Sequence, residues 1–154
     1  MRHGRGTETW PNEDKYVGEY AKGCFHGQGR YATLGGRYAG GFAAGRKSGS
    51  GRMEWNSGDV YDGEWLGGRM HGQGKYVSSD DTVYEGQWEE HQRHGSGTEL
   101  TPSGEKYDGE WSRNRKHGVG TYRWPNGRWR DGQWRDGERL KWLSEERIGG
   151  ARRR

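Results

Sequence analysis

Tyr61-Asp62-Gly63-Glu64-Trp65-Leu66-Gly67-Gly68-Arg69-Met70-His71-Gly72-Gln73-Gly74 is the stretch that decides the fold, because its skeleton returns along the chain. Tyr61, Gly63 and Trp65 fall at i, i+2 and i+4, Gly68 follows, and His71-Gly72-x-Gly74 closes the pattern. The leading aromatic recurs at Tyr16, Tyr38, Tyr61, Tyr84 and Tyr107, with gaps of 22, 23, 23 and 23 residues. Arg130 opens a half-copy that ends at Gly132, Trp134 and Gly137. His3-Gly4-x-Gly6 is the second half of a copy whose first half is missing. Self-similarity at this period predicts a repeat array in which each unit packs only on its neighbours.

Composition supports the same reading. Only 27% of the 154 residues are hydrophobic, 31% are charged and 31 are glycine. Apolar content that low ordinarily means disorder. Yet nine Trp and nine Tyr recur at fixed phase, which a disordered chain has no reason to maintain. A thin, extended fold reconciles the two facts. We divide the chain into an array over residues 1–137 and a C-terminal cap with an Arg-rich tail over 138–154. The net charge of +4, partly carried by Arg152, Arg153 and Arg154, is too small to define a partner. The lone Cys24 excludes an internal disulfide and favours a reducing compartment. No run approaches the ~20 apolar residues that span a bilayer, and no signal-peptide apolar region opens the chain, so a cytoplasmic protein is expected.

Within a unit, Tyr61, Gly63 and Trp65 share one face of a strand while Asp62 and Glu64 occupy the other. Gly74 and Tyr76 alternate with Gln73 and Lys75, and Gly51, Met53, Trp55 and Gly120, Tyr122, Trp124 repeat the alternation. Each unit therefore reads as a β-hairpin with one aromatic and one polar face. Glycine weakens a strand, so its recurrence needs a reason. Pairing Trp65 near Gly72 sets Gly63 opposite Gly74, Tyr61 opposite Tyr76 and Asp62 opposite Lys75. The glycines then leave floor for the Trp ring to lie across the ladder.

The third position after the Trp is Gly23, Gly45, Gly68, His91, Asn114 and Gly137. These residue types tolerate positive φ, so a left-handed residue is expected there in every copy. Asn56-Ser57-Gly58-Asp59, Pro102-Ser103-Gly104 and Pro125-Asn126-Gly127 read as turns between units. Ser79-Asp80-Asp81 lacks the glycine, and Leu34-Gly35-Gly36 is one residue shorter. The fold class follows: all-β, an elongated single-layer twisted antiparallel meander of about 12 strands, ~55 Å long. Leu140, Leu143 and Ile148 are spaced for a short amphipathic segment, a C-terminal helix, folded over the last strand. Near Thr7–Trp10 an unpaired edge is expected, which invites self-association end to end or a larger complex.

These residues resemble the MORN repeat family (membrane occupation and recognition nexus), whose pattern is matched from Arg2 to about Gly137. Departures are Tyr20 and Phe42 for Trp, Ser48 for His, His91 and Asn114 for the loop Gly, and Arg130 for Tyr. They leave the second unit the least regular. The resemblance implies an elongated, grooved sheet that acts as a scaffold or adaptor rather than an enzyme. It implies a place in a ciliary or flagellar axoneme or another cytoskeletal assembly, with a partner helix or extended peptide in the groove.

Chemistry is weak elsewhere. His3, His26, His71, His94 and His117 share one repeat phase and lie ~9–10 Å apart, too far to hold one zinc ion. No metal site or cofactor is expected. Gly40-x4-Gly45 with Arg46-Lys47-Ser48 nearly matches a phosphate loop, but the lysine is one place late and no helix follows. Carboxylates such as Glu64, Asp108 and Glu110 read as solvated surface.

The expected binding surface is the aromatic face: Tyr16, Tyr20, Tyr38, Phe42, Tyr61, Trp65, Tyr84, Trp88, Tyr107, Trp111 and Trp134, flanked by Tyr31, Met53, Trp55, Tyr76, Tyr122 and Trp124. Part of this row must hold adjacent hairpins together. Contiguous apolar surface of this kind also marks interaction sites. Two other readings compete. A phospholipid-binding membrane tether rests on the Arg-rich tail, which falls short of the 4–8 clustered charges of an anionic-lipid site. Single-stranded RNA binding rests on aromatics interleaved with cations, opposed by carboxylates in nearly every unit.

Overall fold

The computed structural model describes residues 1–149. Fourteen strands carry the chain: β1 (Gly4–Thr9), β2 (Lys15–Ala21), β3 (Cys24–Thr33), β4 (Gly36–Ala43), β5 (Arg46–Trp55), β6 (Val60–Leu66) and β7 (Arg69–Val77). The second half holds β8 (Val83–Glu89), β9 (Gln92–Leu100), β10 (Lys106–Ser112), β11 (Arg115–Arg123), β12 (Arg128–Arg135), β13 (Glu138–Trp142) and β14 (Arg147–Ile148). β1 through β13 pair in chain order, every pair antiparallel, in one open sheet; β14 returns to pair with β12. The fold is all-β, a single-layer meander of hairpins.

The tip of each hairpin is a two-residue turn, and both of its residues are left-handed. The expected positions have φ of 78° at Gly23, 80° at Gly45, 83° at Gly68, 69° at His91, 67° at Asn114 and 88° at Gly137. The residue before each is left-handed too: Lys22, Ala44, Gly67, Glu90, Arg113 and Asp136 lie between 47° and 57°. This paired conformation matches the right-handed twist of the flanking strands, so hairpin geometry overrides the reluctance of Ala44 and its equivalents. The tip is also tied backwards. Gly68 N–H donates to the Lys47 carbonyl at 3.0 Å and His91 N–H to that of Met70 at 3.1 Å. Where the glycine is replaced, the side chain completes a bracket: His91 Nδ1 accepts from Met70 N–H (3.2 Å), and Asn114 Oδ1 from Arg93 N–H (2.8 Å).

The linker turns close differently. Gly58 N–H donates to Trp55 O and Trp55 N–H to Asp59 O, with Gly58 left-handed. Asp81, where glycine is missing, takes the same role at φ 67°. 

Register follows the expectation around the glycines. Tyr61 faces Tyr76, Asp62 faces Lys75 and Gly63 faces Gly74. Beyond them it departs: Trp65 faces Met70 within its own hairpin, not Gly72. Between the two pairings β6 advances two residues and β7 four. The excess is a bulge at left-handed Gly72 (φ 61°). Gly72 does face a tryptophan, Trp88 of the next unit.

The C-terminal segment is strand, not helix. Gln133 pairs with Lys141 and Gly132 with Trp142, which lays the Trp142 ring 6.0 Å from Trp134 and 5.4 Å from Trp124. Leu140, Leu143 and Ile148 remain exposed, so they do not cap the last strand. The Arg152–Arg154 tail lies outside the described residues.

On the polar face one line of residues crosses twelve strands in register: Thr7, Val17, Arg30, Ala39, Arg52, Asp62, Lys75, Glu85, Thr98, Asp108, Thr121 and Asp131.

Candidate functional site

The aromatic face is built in two tiers. In the lower tier a tyrosine, not a tryptophan, lies over each glycine pair. A Cβ added to Gly74 would sit 2.5 Å from Tyr61 Cε2, and one on Gly97 the same distance from two atoms of the Tyr84 ring. Tyr16, Tyr38, Tyr61, Tyr84 and Tyr107 are consequently between 0% and 3% exposed. Each hydroxyl donates to the backbone three residues on, as Tyr61 does to Glu64 O at 2.8 Å and Tyr107 to Glu110 O at 2.9 Å. Burial pushes the phenols of Tyr38 and Tyr84 up to about 12, and that of Tyr61 higher still.

The tryptophans stand on edge between tyrosines of successive units. Tyr38, Trp65, Tyr61, Trp88, Tyr84, Trp111, Tyr107 and Trp134 form an unbroken ladder, with centroids 4.9–5.4 Å apart and planes near perpendicular. Each such pair adds ~0.5–1.5 kcal/mol beyond its buried area. Indole N–H groups reach back one unit: Trp65 to Gly51 O, Trp88 to Gly74 O, Trp111 to Gly97 O, at 3.0–3.1 Å. Tyr20 and Phe42 take the tryptophan place in the first two units without that hydrogen bond and are likewise buried. This tier is structural.

The upper tier is only partly covered. Trp55 packs 5.6 Å from Tyr76, and Tyr122 packs 5.1 Å from Trp124. Trp10, Phe25, Tyr31 and Trp142 are half-buried beside them. Acids brace the tyrosines of this tier: the Tyr76 hydroxyl donates to Asp59, and that of Tyr31 to Asp14. Cations stand over rings of the lower tier. Lys47 Nζ is 4.9 Å above Trp65, Arg93 is 4.6 Å above Trp111 and Lys116 is 5.1 Å above Tyr107. Arg93 and Lys116 share Glu99 as an ion-pair partner, whereas Lys47 has no carboxylate partner among the described residues, and burial lowers its pKa. A hollow of about 410 Å³ opens on this face over Met70, Tyr76, Trp88, Arg93 and His91.

A profile of the MORN repeat matches residues 1–15, 16–32, 38–60, 61–83, 84–106 and 107–127. The chain belongs to the MORN repeat family. No curated protein matches the chain significantly. Five of the six matched segments begin on, and the sixth runs up to, the tyrosines that head the MORN units, so the family's period and the tyrosine-over-glycine spacing coincide. The half-copy from Arg130 lies outside these matches yet continues the MORN sheet as β12.

Of the residues assigned to the groove, Tyr16, Tyr20, Tyr38, Phe42, Met53, Tyr61, Trp65, Tyr84, Trp88, Tyr107, Trp111 and Trp134 are buried among themselves. Trp55, Tyr76, Tyr122 and Trp124 keep accessible ring surface. Sequence reasoning missed Trp10, Phe25 and Trp142, which lie off the tyrosine–tryptophan phase. It also missed Trp129, buried on the opposite face beneath Arg147.

The six histidines are all exposed, and among the described residues no three metal-ligating side chains converge. The Gly40–Ser48 segment is a hairpin tip. Glu64 and Glu110 are not idle surface charges. They accept from Gln73 N–H and Val119 N–H, each at 2.6 Å, which closes the bulge behind the MORN histidine-glycine pair. Gln87 does the same for Ser96 N–H at 2.8 Å.

Proposed function

We propose that this MORN protein is a non-enzymatic scaffold or adaptor that holds a partner protein along its aromatic face, within a ciliary, flagellar or other cytoskeletal assembly. The observation that carries the reading is the two-tier face. Its lower aromatics, with cations stacked over them, hold hairpins together, while an upper row of half-buried Trp and Tyr remains, with a hollow beside Tyr76. Half-exposed tryptophans and tyrosines are the usual anchors of protein recognition. The rise of ~4.8 Å per strand gives a long, narrow footprint suited to a helix or an extended peptide. Location in the cytoplasm and cytoskeleton rests on the habits of the family.

The test uses residues of the upper tier, outside the buried ladder. Trp55→Ala, Tyr76→Ala and Trp124→Ala are introduced singly, folding is checked by circular dichroism, and partner recovery from cells is measured. The reading expects folded variants that lose the partner. Undiminished recovery by all three removes the aromatic face as the working surface. Phospholipid tethering remains a second reading through the family's membrane-associated members; co-sedimentation of the full chain with anionic vesicles decides it.

A further inference from the structure

The line of polar-face residues from Thr7 to Asp131 has an internal symmetry of charge. We infer that this face packs against the same face of a second copy of the chain, about a two-fold axis parallel to the strands between β6 and β7. Such an axis sets β6 on the partner copy's β7, β5 on β8, β4 on β9 and β3 on β10. Read across the line, Asp62 meets Lys75, Arg52 meets Glu85, Ala39 meets Thr98 and Arg30 meets Asp108. Outward of these, Val17 meets Thr121 and Thr7 meets Asp131.

Every cation of the line meets an acid, and the small uncharged residues meet each other except Thr7, which meets Asp131 at the far end. The arrangement is isologous, since the mirror pairs form simultaneously across the axis. Alternation within one sheet does not demand this order: Arg30 and Asp108 lie seven strands apart, ~34 Å, and cannot pair in one chain. Both are exposed, and among the described residues neither has an ion pair or side-chain hydrogen bond.

The flanking row agrees at the axis, where Val60 faces Val77. Its one like-charged meeting, Lys15 with Arg123, lies toward the ends. Three rows, ~20 Å by ~55 Å, cover on the order of 1,000 Å² per chain, the size of a standard interface. This pairing goes beyond the proposed function and uses the opposite face; the resulting dimer presents two aromatic faces outward.

Arg30→Glu and Asp108→Arg test it, with Arg52→Glu and Glu85→Arg as an independent set, each checked for native circular dichroism. Sedimentation of the wild-type chain should show a dimer at low salt that weakens as salt rises. Each single reversal should raise the dissociation constant at least tenfold. An equimolar mixture of Arg30→Glu and Asp108→Arg chains should recover a heterodimer, because each altered side chain then meets an opposite charge. A wild-type monomer at every concentration overturns the inference, as do single variants that dimerise like wild type or a mixture no tighter than its components. Loss of a different protein on Arg30→Glu, from a monomeric wild type, gives the face to that partner and also overturns it.

Discussion

Replacing Gly74 with alanine puts the Tyr61–glycine contact under direct strain. The new methyl group would stand 2.5 Å from Tyr61 Cε2 and closer to the phenol oxygen, in a ring that is 0% exposed. The backbone there is not left-handed, so the effect is steric. Overpacking a close-fitted site costs ~1–3 kcal/mol. Displacing the ring also breaks the hydroxyl bond to Glu64 O, ~1 kcal/mol more. The total is about 3 kcal/mol, read from urea unfolding followed by tryptophan fluorescence. Gly127→Ala supplies a control: it has nothing within 4 Å, and only its φ of 85° resists a side chain, about 1 kcal/mol. Combining Gly74→Ala with Tyr61→Leu should recover most of the loss, because the two changes relieve one clash. A Gly74→Ala chain within 0.5 kcal/mol of wild type, a figure set by the scatter of additivity, refutes the reasoning. So does an undiminished penalty in the Tyr61→Leu background.

Three further outcomes follow from the turns and bulges. His91 Nδ1 must be unprotonated to accept from Met70 N–H, and partial desolvation of its ring beside Trp65, then Arg69 and Lys47, lower its pKa. Its contribution is therefore complete above the unfolded value near 6.5 and is lost as pH falls through the lower folded value. His91→Asn, which can accept as Asn114 does, should match wild type at pH ~8 and unfold at higher urea below pH ~6. Ala44 sits at φ 49° in an exposed turn, so Ala44→Gly should stabilise by about 0.5 kcal/mol, the strain relieved less the added chain entropy; no change in melting temperature counts against it. Glu64→Ala leaves the bulge amide of Gln73 to solvent and should cost about 1 kcal/mol, with faster amide exchange at Gln73 and unchanged exchange at Ser96, where Gln87 supplies the cap.

The period, the two faces, the Tyr61–Tyr76 register and the six left-handed tips were all readable in the sequence, because each depends on strand alternation or on residue types that tolerate positive φ. What escaped depends on three dimensions. The bulge at Gly72 shifts Trp65 onto Met70, and a two-fold pattern in sequence cannot announce residues that drop out of a ladder. Tyrosine rather than tryptophan covers the glycines because its hydroxyl reaches the Glu64 carbonyl only when the ring lies flat; tryptophan reaches a carbonyl only from the neighbouring unit. Ala44 and Arg113 are left-handed because the hairpin demands it, against their own preference. The Leu140–Ile148 spacing suggested a helix, but Trp142 gains more by lying against Trp124 and Trp134 in a thirteenth strand. The upper tier of the site was hardest to separate from the lower, since both are Trp and Tyr at repeat spacing and only burial tells them apart.

The central claim, that a partner lies on the upper aromatic tier, is tested most directly by photo-crosslinking from single positions in living cells. A photoreactive residue replaces Tyr76 on the aromatic face or Thr98 on the polar face, and the attached chains are identified by mass spectrometry. The account predicts that Tyr76 labels a different protein and that Thr98 labels only another copy of this chain. A different protein attached at Thr98, with none attached at Tyr76, contradicts it.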